Sequence, residues 1–408
     1  LASSTTSFTA ASTAGLGRVC PPTEPISALS TLKVILIGPS VSMLPQGAAP
    51  PQAPRSHPRQ PLAWALILRD RTPENEAMLD DVLAPIHGGP DGGPEPLYDF
   101  STNANALGPN PVILEYLQQV DPSRYPDPLY RETHRLLAQA HGVAEAQVAV
   151  GTGTSELIHR LSRWNYLRGP ILLLPPTFSE YARAARALDL PLWEARSPEE
   201  FLELLPRSAL AFLCVPNNPT GEVYPFLEEA ARRAGGALVL DLAYYELMEE
   251  PLALPQGVWR LYSPNKAHGL TGVRAGYLVA PLDLTHFRNL APSWPVSAHG
   301  EALLRGQLDP RARAWLEWSR AELHRLRRLL AEGLRALGLE VRESPANFLM
   351  VRVGRATAVA RALRERGLRV RDATSFGLPE WLRLSAQREE AIEALLEALE
   401  GVLARLGA

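Results

Sequence analysis

From about residue 125 onward the chain alternates short apolar runs with amphipathic segments. Gln147-Val148-Ala149-Val150, Ile171-Leu172-Leu173-Leu174, Ala209 to Cys214 and Ala237-Leu238-Val239-Leu240 are apolar almost throughout. A half-exposed strand would alternate apolar and polar positions, so these runs predict strands buried on both faces. Between them the pattern predicts helices. One runs from the turn Gly151-Thr152-Gly153-Thr154-Ser155-Glu156 through Leu161, and another spans Phe178 to Ala187. Strand and helix in alternation predict an α/β fold built on a mostly parallel sheet covered on both faces. Ligands of such sheets sit beyond the carboxyl ends of the strands. That rule directs attention to residues 151–155, 175–178, 217–221 and Asp241.

After about residue 295 the pattern changes. A long Arg-, Leu- and Glu-rich helix is expected from Asp309 to Leu337, short strands at Phe348–Val353 and Trp381–Leu384, and an amphipathic helix from Arg388 to Leu406. These elements predict a smaller α+β domain over 295–408, beside a large domain over 125–294, with 78–124 as an N-terminal segment joining the small domain. Residues 1–77 are rich in Ser, Thr, Ala and Pro and show little periodicity. They are expected to be a disordered leader or a misassigned upstream extension, since Met78 opens the first strongly patterned region.

Composition narrows the classes. A chain of 408 residues can bury a large core. The net charge of -3, with no basic run, speaks against a nucleic-acid partner. No apolar stretch approaches the roughly 18 to 20 residues that span a membrane, and a secretory signal is not expected. Two cysteines, Cys20 and Cys214, cannot make a disulfide framework or a zinc site by themselves. No metal site is therefore expected, and the reducing cytoplasm is the expected compartment.

The 41 basic residues include only two lysines, Lys33 and Lys266, so 39 are arginine. A composition that replaces lysine wherever a plain positive charge suffices makes a retained lysine notable. Arginine stays protonated, whereas a lysine amine can lose its proton and form a Schiff base.

The surroundings of Lys266 support that chemistry. Ser263-Pro264-Asn265-Lys266, then Gly269-Leu270-Thr271-Gly272-Val273-Arg274-Ala275-Gly276-Tyr277, resembles the lysine segment of fold-type I pyridoxal-phosphate enzymes, the class I/II aminotransferase superfamily. Asn217-Asn218-Pro219-Thr220-Gly221 and Asp241-Leu242-Ala243-Tyr244 continue the resemblance in the family's order, and together the motifs cover residues 85–408. The resemblance implies a large domain with a seven-stranded, mostly parallel sheet and a smaller α+β domain. It implies pyridoxal 5'-phosphate as cofactor, with Lys266 holding its aldehyde and Asp241 keeping its ring nitrogen protonated. Asn218 and Tyr244 would donate to the ring's phenolate oxygen, and Phe178 would stack on the ring. The phosphate would lie on Gly153, Thr154 and Ser155 at a helix N-terminus, with Ser263 and Arg274 as further ligands. Tyr125 matches a tyrosine that reaches the cofactor phosphate of a neighbouring subunit, which implies a homodimer.

Finer motifs divide between two branches. His87-Gly88-Gly89 and Asp99-Phe100-Ser101-Thr102-Asn103-Ala104-Asn105-Ala106-Leu107-Gly108-Pro109 look like the start of the threonine-phosphate decarboxylases of cobalamin biosynthesis. Tyr125-Pro126-Asp127 fits these enzymes and histidinol-phosphate aminotransferases alike, as does Ser344-Pro345-Ala346-Asn347-Phe348. The resemblance implies that His87, Asn103, Asn347, Arg371 and Arg383 bind substrate, the arginines through anionic groups. The expected partner is a small phosphorylated amine or amino acid. The leading expectation is a threonine-phosphate decarboxylase, the alternative a histidinol-phosphate or related aminotransferase, and the remote one a non-catalytic sensor. Asn265, Leu242, Thr152 and Ala106 depart from the usual pattern, which leaves the substrate open.

Overall fold

The protein is described by a computed structural model over residues 87–165 and 168–406. The expected leader at 1–77 and the first residues of the 78–124 segment lie outside the described residues.

In chain order the strands are β1 (Tyr98–Asp99), β2 (Val148–Gly151), β3 (Ile171–Leu173), β4 (Leu192–Glu194), β5 (Leu210–Cys214), β6 (Ala237–Asp241) and β7 (Trp259–Tyr262). They continue with β8 (Gly276–Val279), β9 (Val341–Glu343), β10 (Phe348–Arg352), β11 (Leu368–Arg369), β12 (Arg371–Asp372) and β13 (Trp381–Ser385). Seven of them form one sheet in the order β2-β8-β7-β6-β5-β3-β4. The sheet is parallel except at β8, which runs antiparallel to both β2 and β7. Four others form an antiparallel sheet, β12-β13-β10-β9, and β1 pairs in parallel with β11.

The continuous apolar runs follow from packing on both faces of the large sheet. Along β5, Ala211 and Leu213 enter one core, together with Leu172, Leu238 and Leu240. Leu210 and Phe212 enter the opposite core, with Ile171, Leu173 and Val239. Side chains alternate across a strand, so each face needs its own apolar set and no polar position remains. Each fully buried Leu or Phe contributes about 1.5–3 kcal/mol.

The antiparallel sheet has its own core. It packs Leu349, Val351, Leu382 and Leu384 against Leu323, Leu330 and Leu334 of the long helix Pro310–Ala336 and Leu395 and Leu399 of the helix Glu389–Leu406. The long helix begins where predicted because Asp309 accepts a hydrogen bond from the Arg311 N–H and Pro310 occupies its first turn. Among the described residues, no helix is long and apolar enough to cross a membrane.

Candidate active site

Parallel pairing sets the carboxyl ends of β5 and β6 side by side, with Cys214 opposite Asp241. Beyond those ends opens a cavity of about 440 Å³. Its wall brings together twelve residues singled out in the sequence: Lys266, Asp241, Tyr244, Thr154, Ser155, Phe178, Asn218, Arg274, His87, Asn103, Arg371 and Arg383.

Lys266 lies in the one-turn helix Pro264–Ala267 that follows β7. Its Nζ donates to Ser263 Oγ at 3.3 Å and stands 5.4 Å from the centroid of the Tyr244 ring. Burial lowers the amine's pKa, the Asp241 carboxylate works against that shift, and Arg274 adds to it. A buried amine of this kind gives up its proton more readily than a surface lysine and so becomes a nucleophile.

Asp241 is 2% exposed. Its Oδ2 accepts from the Tyr181 hydroxyl at 2.7 Å and its Oδ1 from the Ala243 N–H at 3.1 Å. Burial raises its carboxyl pKa, while Tyr181 and Lys266 hold it down.

At another corner of the cavity the helix Gly153–Trp164 begins, and Thr154 and Ser155 of its first turn line the wall. Gly153 has φ +78°, and a Cβ there would stand 2.6 Å from Nη2 of Arg274. A larger residue would displace the guanidinium. Unpaired N–H groups at a helix start beside an arginine suit a phosphate.

Arg371 and Arg383 extend from β12 and β13, where they are cross-strand partners. Arg383 donates to the Asn218 side-chain oxygen and, at 2.6 Å, to the Ser101 carbonyl. A guanidinium only donates, so the Asn218 amide must turn its oxygen to Arg383. Its NH₂ is the end left for a ligand. Arg371 donates to the Asp372 carbonyl and to Ser375 Oγ, both at 2.7 Å, and lies 4.8 Å from the Phe376 ring. Burial, with Arg383 nearby, lowers its pKa to about 10.

Four sequence candidates lie off the wall. Gly153 sits behind Arg274. Ser263 is buried behind Lys266. Asn347 is fully buried and its amide donates to the carbonyls of Asn103 and Ala104, at 3.4 and 3.1 Å, so it holds the backbone that presents Asn103. Tyr125 is 80% exposed and stacks on Trp294 at 4.6 Å. His87 reaches the wall by a hydrogen bond to Glu180 at 3.1 Å, with its ring 5.3 Å from Phe178.

Sequence reasoning missed Tyr181, Glu180 and Phe376. Tyr181 lies three residues after Phe178, in the helix Glu180–Arg186 that begins two residues beyond the phenylalanine, and that aromatic spacing was the available signal. Arg183, three residues on, is the local partner of Glu180, but nothing local marks Glu180 as the partner of His87 and His159.

The donor set fits pyridoxal 5'-phosphate. It provides a buried amine, a carboxylate at a strand end, an aromatic face at Phe178 and an anion corner at Thr154, Ser155 and Arg274. Among the described residues no group of side chains could hold a metal ion.

The family model "Aminotransferase class I and II" matches residues 95–399. The histidinol-phosphate aminotransferase of Granulibacter bethesdensis is 30% identical over 340 residues, which cover 77% of this chain and 91% of the relative. The structure of histidinol-phosphate aminotransferase from Sinorhizobium meliloti, in complex with pyridoxal-5'-phosphate, aligns with a TM-score of 0.67 at 24% identity, over 75% of this chain and 90% of that one. L-Threonine-O-3-phosphate decarboxylase from Porphyromonas gingivalis aligns with a TM-score of 0.66 at 24% identity, over 75% of this chain and 99% of that one. The chain belongs to the class I and II aminotransferase family and is a pyridoxal-phosphate-dependent enzyme.

Proposed function

We propose that the enzyme is an aminotransferase acting on a phosphorylated amine, with histidinol phosphate as amino donor and a 2-oxo acid as acceptor. The observation that carries this reading is Arg383. It is 4% exposed, shares a cavity with the Lys266 amine, and has no carboxylate within ion-pair distance among the described residues. A buried guanidinium without a protein counter-charge favours an anionic ligand.

The roles of the wall residues follow from their chemistry. Bound in the cavity, the cofactor supplies an aldehyde that condenses with amines and a ring that accepts electrons from the substrate's Cα. Asp241, held by Tyr181, would supply a carboxylate to the ring nitrogen. Thr154, Ser155 and Arg274 would bind the phosphate, Phe178 would cover the ring, and Asn218 and Tyr244 would donate to its oxygen, while Ser263, off the wall and donating to Asn265 Oδ1, steadies Lys266 instead. Lys266 Nζ would hold the cofactor's aldehyde and would move the proton at the substrate's Cα. Arg371 and Arg383 clamp the substrate's phosphate or the acceptor's carboxylate, and Asn103 and His87 orient it from the covering segment. Tyr125 reaches the cavity of a second copy, which makes the working unit a homodimer. A chain boundary near 295 separates the large cofactor-binding domain from the small one.

The expected threonine-phosphate decarboxylase gives way to its alternative. The curated relative at 30% identity is a histidinol-phosphate aminotransferase, whereas the decarboxylase structure at 24% speaks for the fold alone. The deciding assay gives the enzyme histidinol phosphate with 2-oxoglutarate. Glutamate formation supports the reading. Its absence, with CO₂ released from O-phospho-L-threonine in the absence of any 2-oxo acid, restores the decarboxylase.

A further inference from the structure

A second cavity, of about 310 Å³, shares no lining residue with the first. One wall is the pair Tyr262 and Tyr277, cross-strand neighbours on β7 and β8, stacked with ring centroids 4.8 Å apart. His141 packs on both rings at 4.8 and 5.5 Å, and its Nε2 lies 3.1 Å from the Tyr277 hydroxyl.

The cavity also carries opposite charges. Glu246 enters from the turn Tyr245–Leu247, while Arg313 and Arg320 come from the long helix, seven residues and so two turns apart on one face. Exposed Glu317 lies between them on that helix. Among the described residues, no side-chain hydrogen bond or ion pair engages Glu246, Arg313 or Arg320. Burial raises the Glu246 carboxyl pKa to about 7, against the pull of both arginines. Gln307, 5% exposed, donates to the Leu304 carbonyl at 3.3 Å and leaves its own side-chain oxygen without a donor.

Opposite charges that share a cavity without pairing leave room for a ligand that carries both. An anion alone would face Glu246 and the Gln307 oxygen. A cation alone would face the two arginines. The tyrosine pair, 7% and 4% exposed, and His141 add an aromatic lining for a third group.

We propose that this cavity binds a free α-amino acid with an aromatic or imidazole side chain. Its carboxylate lies on Arg313 and Arg320, its ammonium on Glu246 and the Gln307 oxygen, and its ring against Tyr262 and Tyr277. This site is separate from the catalytic one, and the proposal stands whichever substrate the enzyme turns over.

Isothermal titration of the cofactor-loaded enzyme with L-phenylalanine and L-histidine tests it, with 3-phenylpropionate and 2-phenylethylamine as probes that each lack one charge. The expected result is saturable binding of at least one amino acid, with both single-charge probes about tenfold weaker or more, equivalent to about 1.4 kcal/mol. Glu246→Gln and Arg313→Ala should each weaken it about tenfold. Arg383→Ala, which alters the catalytic cavity, should leave it intact. Arg313 is exposed, so its variant remains informative if Glu246→Gln fails to fold. The proposal is overturned if neither amino acid binds, or if a single-charge probe binds as well. Binding that survives Arg313→Ala but is lost in Arg383→Ala would also overturn it, because the ligand would then sit in the catalytic cavity.

Discussion

The hydroxyl of Tyr181 donates to Oδ2 of Asp241 at 2.7 Å, and neither side chain is more than 2% exposed. Tyr181 is itself held by stacking on Phe212, with centroids 4.7 Å apart and planes 7° apart. Burial alone would drive the Asp241 carboxyl towards its neutral form, and Tyr181 is the largest influence opposing it. The tyrosine thus positions the carboxylate and favours its charged form, without touching substrate.

Tyr181→Phe should remove that support and keep the ring packing. A hydrogen bond to a buried charged group is worth about 1.5–3 kcal/mol, so turnover should fall by roughly 10- to 100-fold. Cofactor affinity should fall with it, and the absorbance of the bound cofactor should change with pH over a different range. A variant with unchanged cofactor affinity and an unchanged absorbance titration would rule out the positioning role.

Gly153→Ala should weaken cofactor binding without unfolding the protein. The new methyl would meet Arg274 Nη2 at 2.6 Å, and the residue would be held at φ +78°, which costs about 1 kcal/mol for a non-glycine residue. Equilibrium dialysis should show cofactor affinity reduced about tenfold or more. An affinity equal to wild type would mean that the phosphate lies elsewhere.

Asn103 is the cavity's clearest unmet demand. Both its amide nitrogen and its oxygen are buried without a well-formed hydrogen bond, the neighbouring Tyr244 hydroxyl being a weak partner at most. Buried polar groups are normally satisfied, so a ligand is expected to supply what the chain does not. Asn103→Ala should leave the ligand-free protein as stable as wild type, or more stable by about 1 kcal/mol. It should nevertheless raise KM for the phosphorylated substrate. Paired thermal melts and kinetics check both halves, and a marked loss of stability would show that Asn103 has a structural role instead.

Acid should destabilise the fold between about pH 6.5 and 4. Burial lowers the pKa of His134, His268 and His324 from 6.5 to about 4 each. In that window the unfolded chain binds more protons than the folded one, so stability rises with pH and is lost as pH falls. Each histidine contributes up to roughly 3 kcal/mol across the window. Melting temperature should drop steadily from pH 7 to pH 5. A flat profile there would show that these imidazoles are not held neutral.

Local pattern was enough to locate β2, β3, β5, β6 and the long helix, because apolar periodicity records which faces of an element are buried. It was also enough to single out Lys266 and Asp241, because each stands inside a short motif with a defined chemical use, and the structure sets both on one cavity wall. β4, β7 and β8 escaped it. Trp259-Arg260-Leu261-Tyr262 and Gly276-Tyr277-Leu278-Val279 become strands by pairing with each other and with β6 and β2; the first is interrupted by Arg260, and the second is a four-residue apolar run opened by a glycine, too short to declare its state alone. The site shows the same division. Arg383 meets Asn218 across 165 positions, Tyr181 meets Asp241 across 60, and His87 meets Glu180 across 93. Spacing along a chain carries no information about such contacts. They exist only once the sheets have packed, so the residue types could suggest the chemistry while the folded arrangement alone decided which groups would share a cavity.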